Sequence, residues 1–157
     1  ISVVNINELT EVILKTLRPI ARKNNVEVTL ISKREILAEV DKVKMSQIIT
    51  NLVENAIKYN REQGKVEVTL DADHQFFTVQ VEDTGIGIPK DSQNKIFERF
   101  YKTDSSRGKD KKGTGLGLSI VKEIIQAHGT NIDVISTEGV GTEFIFTLNL
   151  AEKEPEV

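Results

Sequence analysis

The chain has 157 residues, 38% of them hydrophobic, and a formal net charge of -3 at pH 7. This composition is sufficient for one domain with a full core, and the small net charge excludes a global field for nucleic acid or an anionic membrane. The absence of cysteine excludes disulfides, thiolate metal sites and cysteine nucleophiles, and no apolar run approaches the ~18 residues of a membrane span. Because the first residue is Ile1 and not Met, we expect a piece of a longer protein.

The first part of the chain predicts a helix followed by two strands. Asn7 and the apolar residues at helical spacing after it predict an N-capped amphipathic helix that ends near Asn24 and is weakened by Pro19. Residues 26–31 and 36–40 alternate apolar and polar side chains as strands do.

Residues 45–60 combine an apolar face with a row of polar side chains, and Asp41 is a candidate cap for this second helix. Asn51, Asn55 and Lys58 fall within roughly 60° of one another on the helical wheel, along one flank of the apolar arc. Asn is a poor helix former, so two of them four residues apart require a reason. Two interpretations are open: the amides hydrogen-bond neighbouring loops, or their oxygens bind Mg²⁺ beside phosphates.

Residues 66–70 and 76–82 predict a hairpin whose second strand runs directly into DTGIGIP. Asp83 ends this strand, and Gly85 and Gly87 let the backbone approach a ligand closely. A carboxylate here can accept from the exocyclic amine of a base. A turn capped by the Asp side chain explains the same residues.

The next stretch predicts a short helical piece around 94–100 and then a lid or binding loop. Residues 102–112 contain five Lys or Arg and two Asp and have no periodicity, as in long functional loops. GTGLGL at 113–118 opens a helix, so its amides offer an anion site, or its glycines act as a lid hinge. It fits neither the Rossmann fingerprint nor the P-loop.

Helical spacing returns at 116–127, with Gly129 as the cap, and 132–136 and 143–150 read as two closing strands. The charged residues 151–157 predict a disordered tail. Pairs of adjacent strands that alternate with helices predict a mixed or mostly antiparallel sheet with helices on one face.

Taken together and in order, these motifs resemble the ATP-binding catalytic domain of a sensor histidine kinase, in the superfamily that also holds gyrase, Hsp90 and MutL. NLVENAIKY is similar to the family's N box, DTGIGIP to its first glycine box, IFERFYKTD to its F box, GTGLGL to its second glycine box and GVGTEF to its closing glycine motif. The similarity covers about residues 7–150. It implies a Bergerat α/β sandwich over residues 1–150, with about five main strands, three helices and a mobile ATP lid over about 98–115.

The resemblance also implies roles for the residues of the N box. Asn55 would be the Mg²⁺ ligand, and Asn51 would assist it directly or through water. Lys58 would meet phosphate, and Tyr59 would border the nucleotide. Asn60, where Ser or Thr is common, departs from the family pattern.

The other motifs would supply the rest of an ATP site. Asp83 would bind the adenine amino group, in a pocket shaped by Gly85, Ile86, Gly87 and Thr142. Lys102 corresponds to a basic position that can reach the γ-phosphate, and Arg99 is a second candidate. The phosphates would be wrapped by Gly113, Thr114, Gly115, Leu116, Gly117 and Leu118. Lys112 and Thr130 stand where the family commonly has glycine.

The residue at position 51 bears on whether the domain hydrolyses ATP or transfers its phosphoryl group. ATPases of this superfamily carry an acidic general base where this chain has Asn51, which cannot take a proton, and Glu54 points about 100° away from Asn55. This favours phosphoryl transfer to a supplied histidine over hydrolysis. His74 and His128 lack the sequence context of the family's acceptor and are expected to be structural or exposed.

The resemblance implies ATP and Mg²⁺ as cofactors and two protein partners: the parent's upstream dimerisation and phosphoacceptor domain, absent from this chain, and a downstream response regulator. No nucleic acid or direct membrane contact is expected. The chain would be the cytoplasmic portion of a membrane-anchored sensor kinase. Two alternatives stay open: a nucleotide-binding regulatory module without turnover, and a serine-directed kinase of the anti-sigma type.

Overall fold

The computed structural model describes residues 1–93, 95–98 and 117–151. Within these ranges, the helices are α1 (Ile6–Lys23), α2 (Lys42–Lys58) and α3 (Gly117–Ala127), and Lys90–Ser92 form a 3-10 helix. The strands are β1 (Ser2–Asn5), β2 (Glu27–Ser32), β3 (Leu37–Val40), β4 (Lys65–Ala72), β5 (Phe76–Asp83), β6 (Ile132–Thr137) and β7 (Gly141–Asn149).

The main sheet has five strands in the order β2-β4-β5-β7-β6. β2 and β4 are parallel, whereas the other three pairs are antiparallel. β1 and β3 form a separate two-stranded antiparallel sheet. The prediction of a mixed, mostly antiparallel sheet of about five main strands is therefore confirmed.

One face of the main sheet is covered by the helices. In β4 the side chains of Val66 and Val68 are fully buried, whereas Glu67 between them is exposed. α2 packs against this face and against both other helices, and its Leu52 is fully buried in the shared core. Alternation at period 2 in the strands and 3.6 in the helix places these apolar sets opposite each other, as in an α/β sandwich.

The start of α1 differs from the prediction. Asn5 is the N-cap, because its side chain accepts from the amide of Glu8 at 3.0 Å. Asn7, predicted as the cap, lies inside the helix, donates to the carbonyl of Arg34 at 2.9 Å and accepts from the amide of Ile36 at 2.7 Å. The prediction was wrong because two Asn residues precede the apolar pattern and only the β2–β3 loop decides which one caps it. Pro19 lies inside the helix without ending it.

Two further stretches differ from the prediction. β1 was not predicted, since its sequence SVVN does not alternate apolar and polar residues. In the predicted helical piece around 94–100, residues 95–98 form turns, while Asn94, Arg99 and Phe100 lie outside the described residues. Phe97 packs edge-on against Phe144 of β7, with ring centroids 6.2 Å apart.

The predicted lid (98–115) lies outside the described residues except for residue 98, and the predicted tail (151–157) lies outside them except for residue 151. Among the helices that the structure describes, none has the length and apolar character to cross a membrane.

Candidate functional site

The polar flank of α2 forms one wall of the candidate site. Asp41 caps the helix as predicted, with its carboxylate accepting from the amide of Lys44 at 3.1 Å. Asn51, Asn55, Lys58 and Tyr59 are half-buried, whereas the opposite face of the helix is buried in the core. At 1.5 Å per residue, the wall from Asn51 to Tyr59 is about 12 Å long.

The start of α3 lies against one end of this wall. The Asn51 side-chain amide lies 3.5 Å from the carbonyl oxygen of Gly117. A Cβ at Gly117 would lie 3.7 Å from Asn51 Cγ, which is ordinary contact. Leu118, the next residue, is half-buried against the core. The structure thus brings together two predicted site residues, Asn51 and Gly117, that are 66 positions apart in the chain.

The loop that follows β5 lies against the other end of the wall. The amide of Ile86 donates to the carbonyl of Tyr59 at 3.1 Å. A Cβ at Gly85 would lie 2.4 Å from that same carbonyl oxygen, so only glycine allows the loop to approach the helix end this closely. Gly87 has φ +72°, and a Cβ there would lie 2.2 Å from the carbonyl oxygen of Thr137.

Asp83 stands at the end of β5 with its carboxylate oriented by two backbone amides. Its Oδ1 accepts from the amides of Gly85 at 2.8 Å and of Thr142 at 3.3 Å. Burial raises the pKa of Asp83 to about 6, although the bonds from Gly85 and Thr142 lower it. Both amides use the same oxygen, and this arrangement orients the second oxygen, Oδ2, without engaging it.

Thr142, predicted to shape the adenine pocket, is buried next to a residue that sequence reasoning missed. Its hydroxyl oxygen lies 2.8 Å from the hydroxyl oxygen of Ser136. Ser136 also accepts from the amide of Ile88 at 2.8 Å and donates to the carbonyl of Gly141 at 3.1 Å. A lone serine in an alternating strand carries no sequence signal, because nothing in the sequence indicates that its hydroxyl bonds to Thr142 and to the backbone of Gly141 and Ile88.

Arg61 and Asn60 complete the surroundings of the Asp83 loop. Arg61 Nη2 donates to the carbonyls of Gly85 at 2.9 Å and Gly139 at 2.6 Å. Asn60 is buried, donates to the carbonyl of Lys65 at 2.9 Å and accepts from the amide of Arg61 at 2.9 Å. Asn60, which departs from the family pattern, therefore stabilises the turn between α2 and β4.

The two histidines have the surroundings of structural or exposed residues, as predicted. His128 Nδ1 lies 2.8 Å from the carbonyl of Ile124, one turn earlier in the chain. His74 is exposed in the β4–β5 turn. Glu54 is exposed as well, away from the half-buried Asn55.

Six predicted site residues lie outside the described residues, and their roles stay predictions. They are Arg99, Lys102, Gly113, Thr114, Gly115 and Leu116.

Comparison with known protein families gives a match that covers the residues of this site. The family described as histidine kinase-, DNA gyrase B- and HSP90-like ATPase matches residues 40–152, which include α2, the Asp83 loop, α3 and the closing hairpin. The chain therefore belongs to this family. The resemblance to the ATP-binding catalytic domain of sensor histidine kinases is also confirmed by the individual relatives.

The sensor histidine kinase WalK of Bacillus subtilis is 42% identical over 123 residues, 77% of this chain and 20% of WalK. The catalytic domain of histidine kinase ThkA, solved without nucleotide, superposes with a TM-score of 0.81 at 31% identity and covers 97% of this chain and 98% of that domain. ThkA has also been solved in complex with the response regulator TrrA, with a TM-score of 0.78 at 29% identity over 95% of this chain and 41% of ThkA. Full-length ShkA in complex with AMPPNP gives a TM-score of 0.79 at 29% identity over 99% of this chain and 32% of ShkA. The chain spans about a fifth of the length of WalK.

Proposed function

We propose that this chain binds Mg-ATP and donates the γ-phosphoryl group to a histidine on a separate dimerisation and phosphoacceptor domain, in two-component signal transduction. One observation carries the proposal: the loop that begins at Asp83 is bonded to the end of α2 through Ile86 and Tyr59. A carboxylate suited to an exocyclic amine and a row of amides suited to a cation therefore lie on one continuous wall.

Asp83 reads the base in this proposal. Its ionised Oδ2 accepts from the exocyclic amino group of adenine, while the amides of Gly85 and Thr142 hold Oδ1. The AMPPNP complex of ShkA supports an adenine nucleotide as the ligand of this fold. Gly87 and Ile86 shape the same pocket from the loop.

Asn55 and Asn51 are the proposed ligands of Mg²⁺. Among the described residues, no group of three or more His, Cys, Asp or Glu side chains could hold a metal alone. Two amide oxygens would fill a minority of the positions around a six-coordinate Mg²⁺, which commonly takes its other ligands from phosphates and water. Bound there, the ion would neutralise charge on the phosphates, and Lys58 would meet them from the last turn of α2.

The transfer itself needs no general base from this chain. Asn51 cannot accept a proton, and Glu54 is exposed. A neutral imidazole nitrogen attacks phosphorus without prior deprotonation, so the chain only positions the nucleotide and neutralises charge. Lys102, with Arg99 as second candidate, is proposed to meet the γ-phosphate, and residues 113–118 are proposed to wrap the phosphates.

The comparisons also support the proposed partners. The ThkA–TrrA complex supports a response regulator as the downstream partner. WalK is a sensor kinase about five times as long as the matched segment, which supports an upstream phosphoacceptor domain in a parent protein. The chain is proposed to work on the cytoplasmic side of that parent.

The test is a phosphotransfer assay with radiolabelled ATP. The chain alone should bind ATP and remain unlabelled. Adding a dimerisation domain that carries the acceptor histidine should label that domain with acid-labile, alkali-stable phosphate, and replacing the histidine should abolish the label. Acid-stable label would favour the serine-directed kinase, and nucleotide binding without any label would favour the regulatory module.

A further inference from the structure

Three chain segments meet at the Asp83 loop. They are the end of α2 with the turn after it (59–61), the loop itself (83–88) and the β6–β7 turn with the start of β7 (138–142). Backbone bonds join them in sequence: the amide of Ile86 donates to the carbonyl of Tyr59 at 3.1 Å, and the amide of Gly139 donates to the carbonyl of Ile86 at 2.8 Å.

The guanidinium of Arg61 links the same three segments directly. Its Nη2 donates to the carbonyl of Gly85 in the loop and to that of Gly139 in the turn, at 2.9 and 2.6 Å. Since Arg61 follows Tyr59 by two residues, one nitrogen spans all three segments. Bonds from a charged donor are shorter and stronger than those between neutral groups.

The loop and the strand that follows the turn also hold the carboxylate of Asp83. Oδ1 accepts from the amide of Gly85, in the loop, and from the amide of Thr142, just beyond the turn. The Thr142 bond is the longer of the two, at 3.3 Å. Thr142 faces Asp83 directly in the β5–β7 ladder, so strand pairing sets the Thr142 bond, whereas the position of the loop sets the Gly85 bond. Arg61 bonds to the loop at Gly85 and to the turn at Gly139.

We propose that Arg61 is a positioning residue for adenine recognition, which holds the Asp83 loop against the β6–β7 turn and so keeps Oδ2 of Asp83 aimed at the base. This role rests on the proposed function, in which Asp83 binds adenine. Arg61 touches neither base nor phosphate in this account. A guanidinium suits the task because it is planar, always charged and presents fixed donors, whereas a Lys ammonium is a flexible point charge.

The experiment compares Arg61→Ala and Arg61→Lys with Arg22→Ala, which removes an equal charge from the exposed end of α1. Calorimetry measures the affinity for Mg-ATP and for inorganic tripolyphosphate, which has no base. Arg61→Ala should weaken ATP about tenfold, the loss expected for one or two charged hydrogen bonds that act indirectly, and tripolyphosphate less than about twofold. Arg61→Lys should recover part of the ATP affinity, and Arg22→Ala should match the wild type.

A second readout follows the loop directly. In Arg61→Ala, hydrogen exchange of the Gly85 amide should accelerate, while amides in the middle of β4 keep their wild-type rates. If the Ala variant fails to fold, Arg61→Lys decides the question through its ratio of ATP to tripolyphosphate affinity.

Unchanged ATP affinity in Arg61→Ala, or equal losses for ATP and tripolyphosphate, would overturn the positioning role. A wild-type chain that does not bind ATP would instead contradict the proposed function. The two failures are therefore distinguishable in one set of titrations.

Discussion

At the scale of single residues, Asp83 links burial to pH dependence. Its pKa is raised from 3.8 to about 6 by burial, so the folded state holds this proton more tightly than the unfolded state. The resulting stabilisation is complete below pH 3.8 and is lost as the pH rises through about 6. We therefore expect the free energy of unfolding of the wild type, relative to Asp83→Asn, to fall between pH 4 and pH 7. Urea denaturation of both proteins at several pH values measures this difference; a difference that stays constant or rises would contradict the raised pKa.

Substitutions at Gly87 and Gly129 distinguish the cost of a positive φ from the cost of a steric clash. Gly87 and Gly129 have φ +72° and +82°, but a Cβ at Gly87 would lie 2.2 Å from the Thr137 carbonyl, whereas a Cβ at Gly129 would meet no atom within 4 Å. Gly87→Ala should therefore cost about 1–3 kcal/mol more than Gly129→Ala, since the conformational cost is shared and overpacking is added. Thermal and urea unfolding of both variants measure the gap. Equal losses of stability in the two variants would contradict this, because they would show that the loop shifts to accommodate the added Cβ.

At the scale of elements, α2 holds both the core and the proposed cation ligands. Asn55→Ala should abolish Mg²⁺-dependent ATP binding, because it removes a half-buried oxygen from a site with few protein ligands. The matched control is Glu54→Ala, which changes the preceding, exposed residue of the same helix and should bind as the wild type does. Calorimetry with and without Mg²⁺ makes the comparison. Unchanged affinity in Asn55→Ala would remove the metal assignment.

The elements also show what the sequence could predict. Helices α2 and α3 and the strands with clean alternation were predictable, since periodicity reflects burial on one face. The cap of α1 was not, because Asn5 and Asn7 differ only in tertiary partners: Asn7 bonds to the Arg34 carbonyl in the β2–β3 loop. The parallel pairing of β2 with β4 could not be predicted either. β3 and α2 lie between these two strands in the chain, and the pairing depends on how α2 packs against the sheet.

At the scale of the whole molecule, the site is assembled from segments far apart in the chain. Asp83 and Thr142 were predicted as members of the candidate site because their motifs resemble those of a known family. Ser136 and Arg61 were not, because most of their partners are backbone groups, such as the Gly139 carbonyl 78 positions from Arg61. Backbone partners leave no trace in residue identity, so a sequence shows the ligand groups of a site more readily than the groups that hold them in place.

The central claim is that this wall of the fold binds the base of ATP through Asp83. Calorimetric titration of the wild type and Asp83→Asn with Mg-ATP and with inorganic tripolyphosphate tests it most directly. The substitution replaces an acceptor oxygen by a donor amide, so ATP should weaken by about tenfold or more while tripolyphosphate changes little. Equal weakening of both ligands, or no weakening of ATP, would contradict the account.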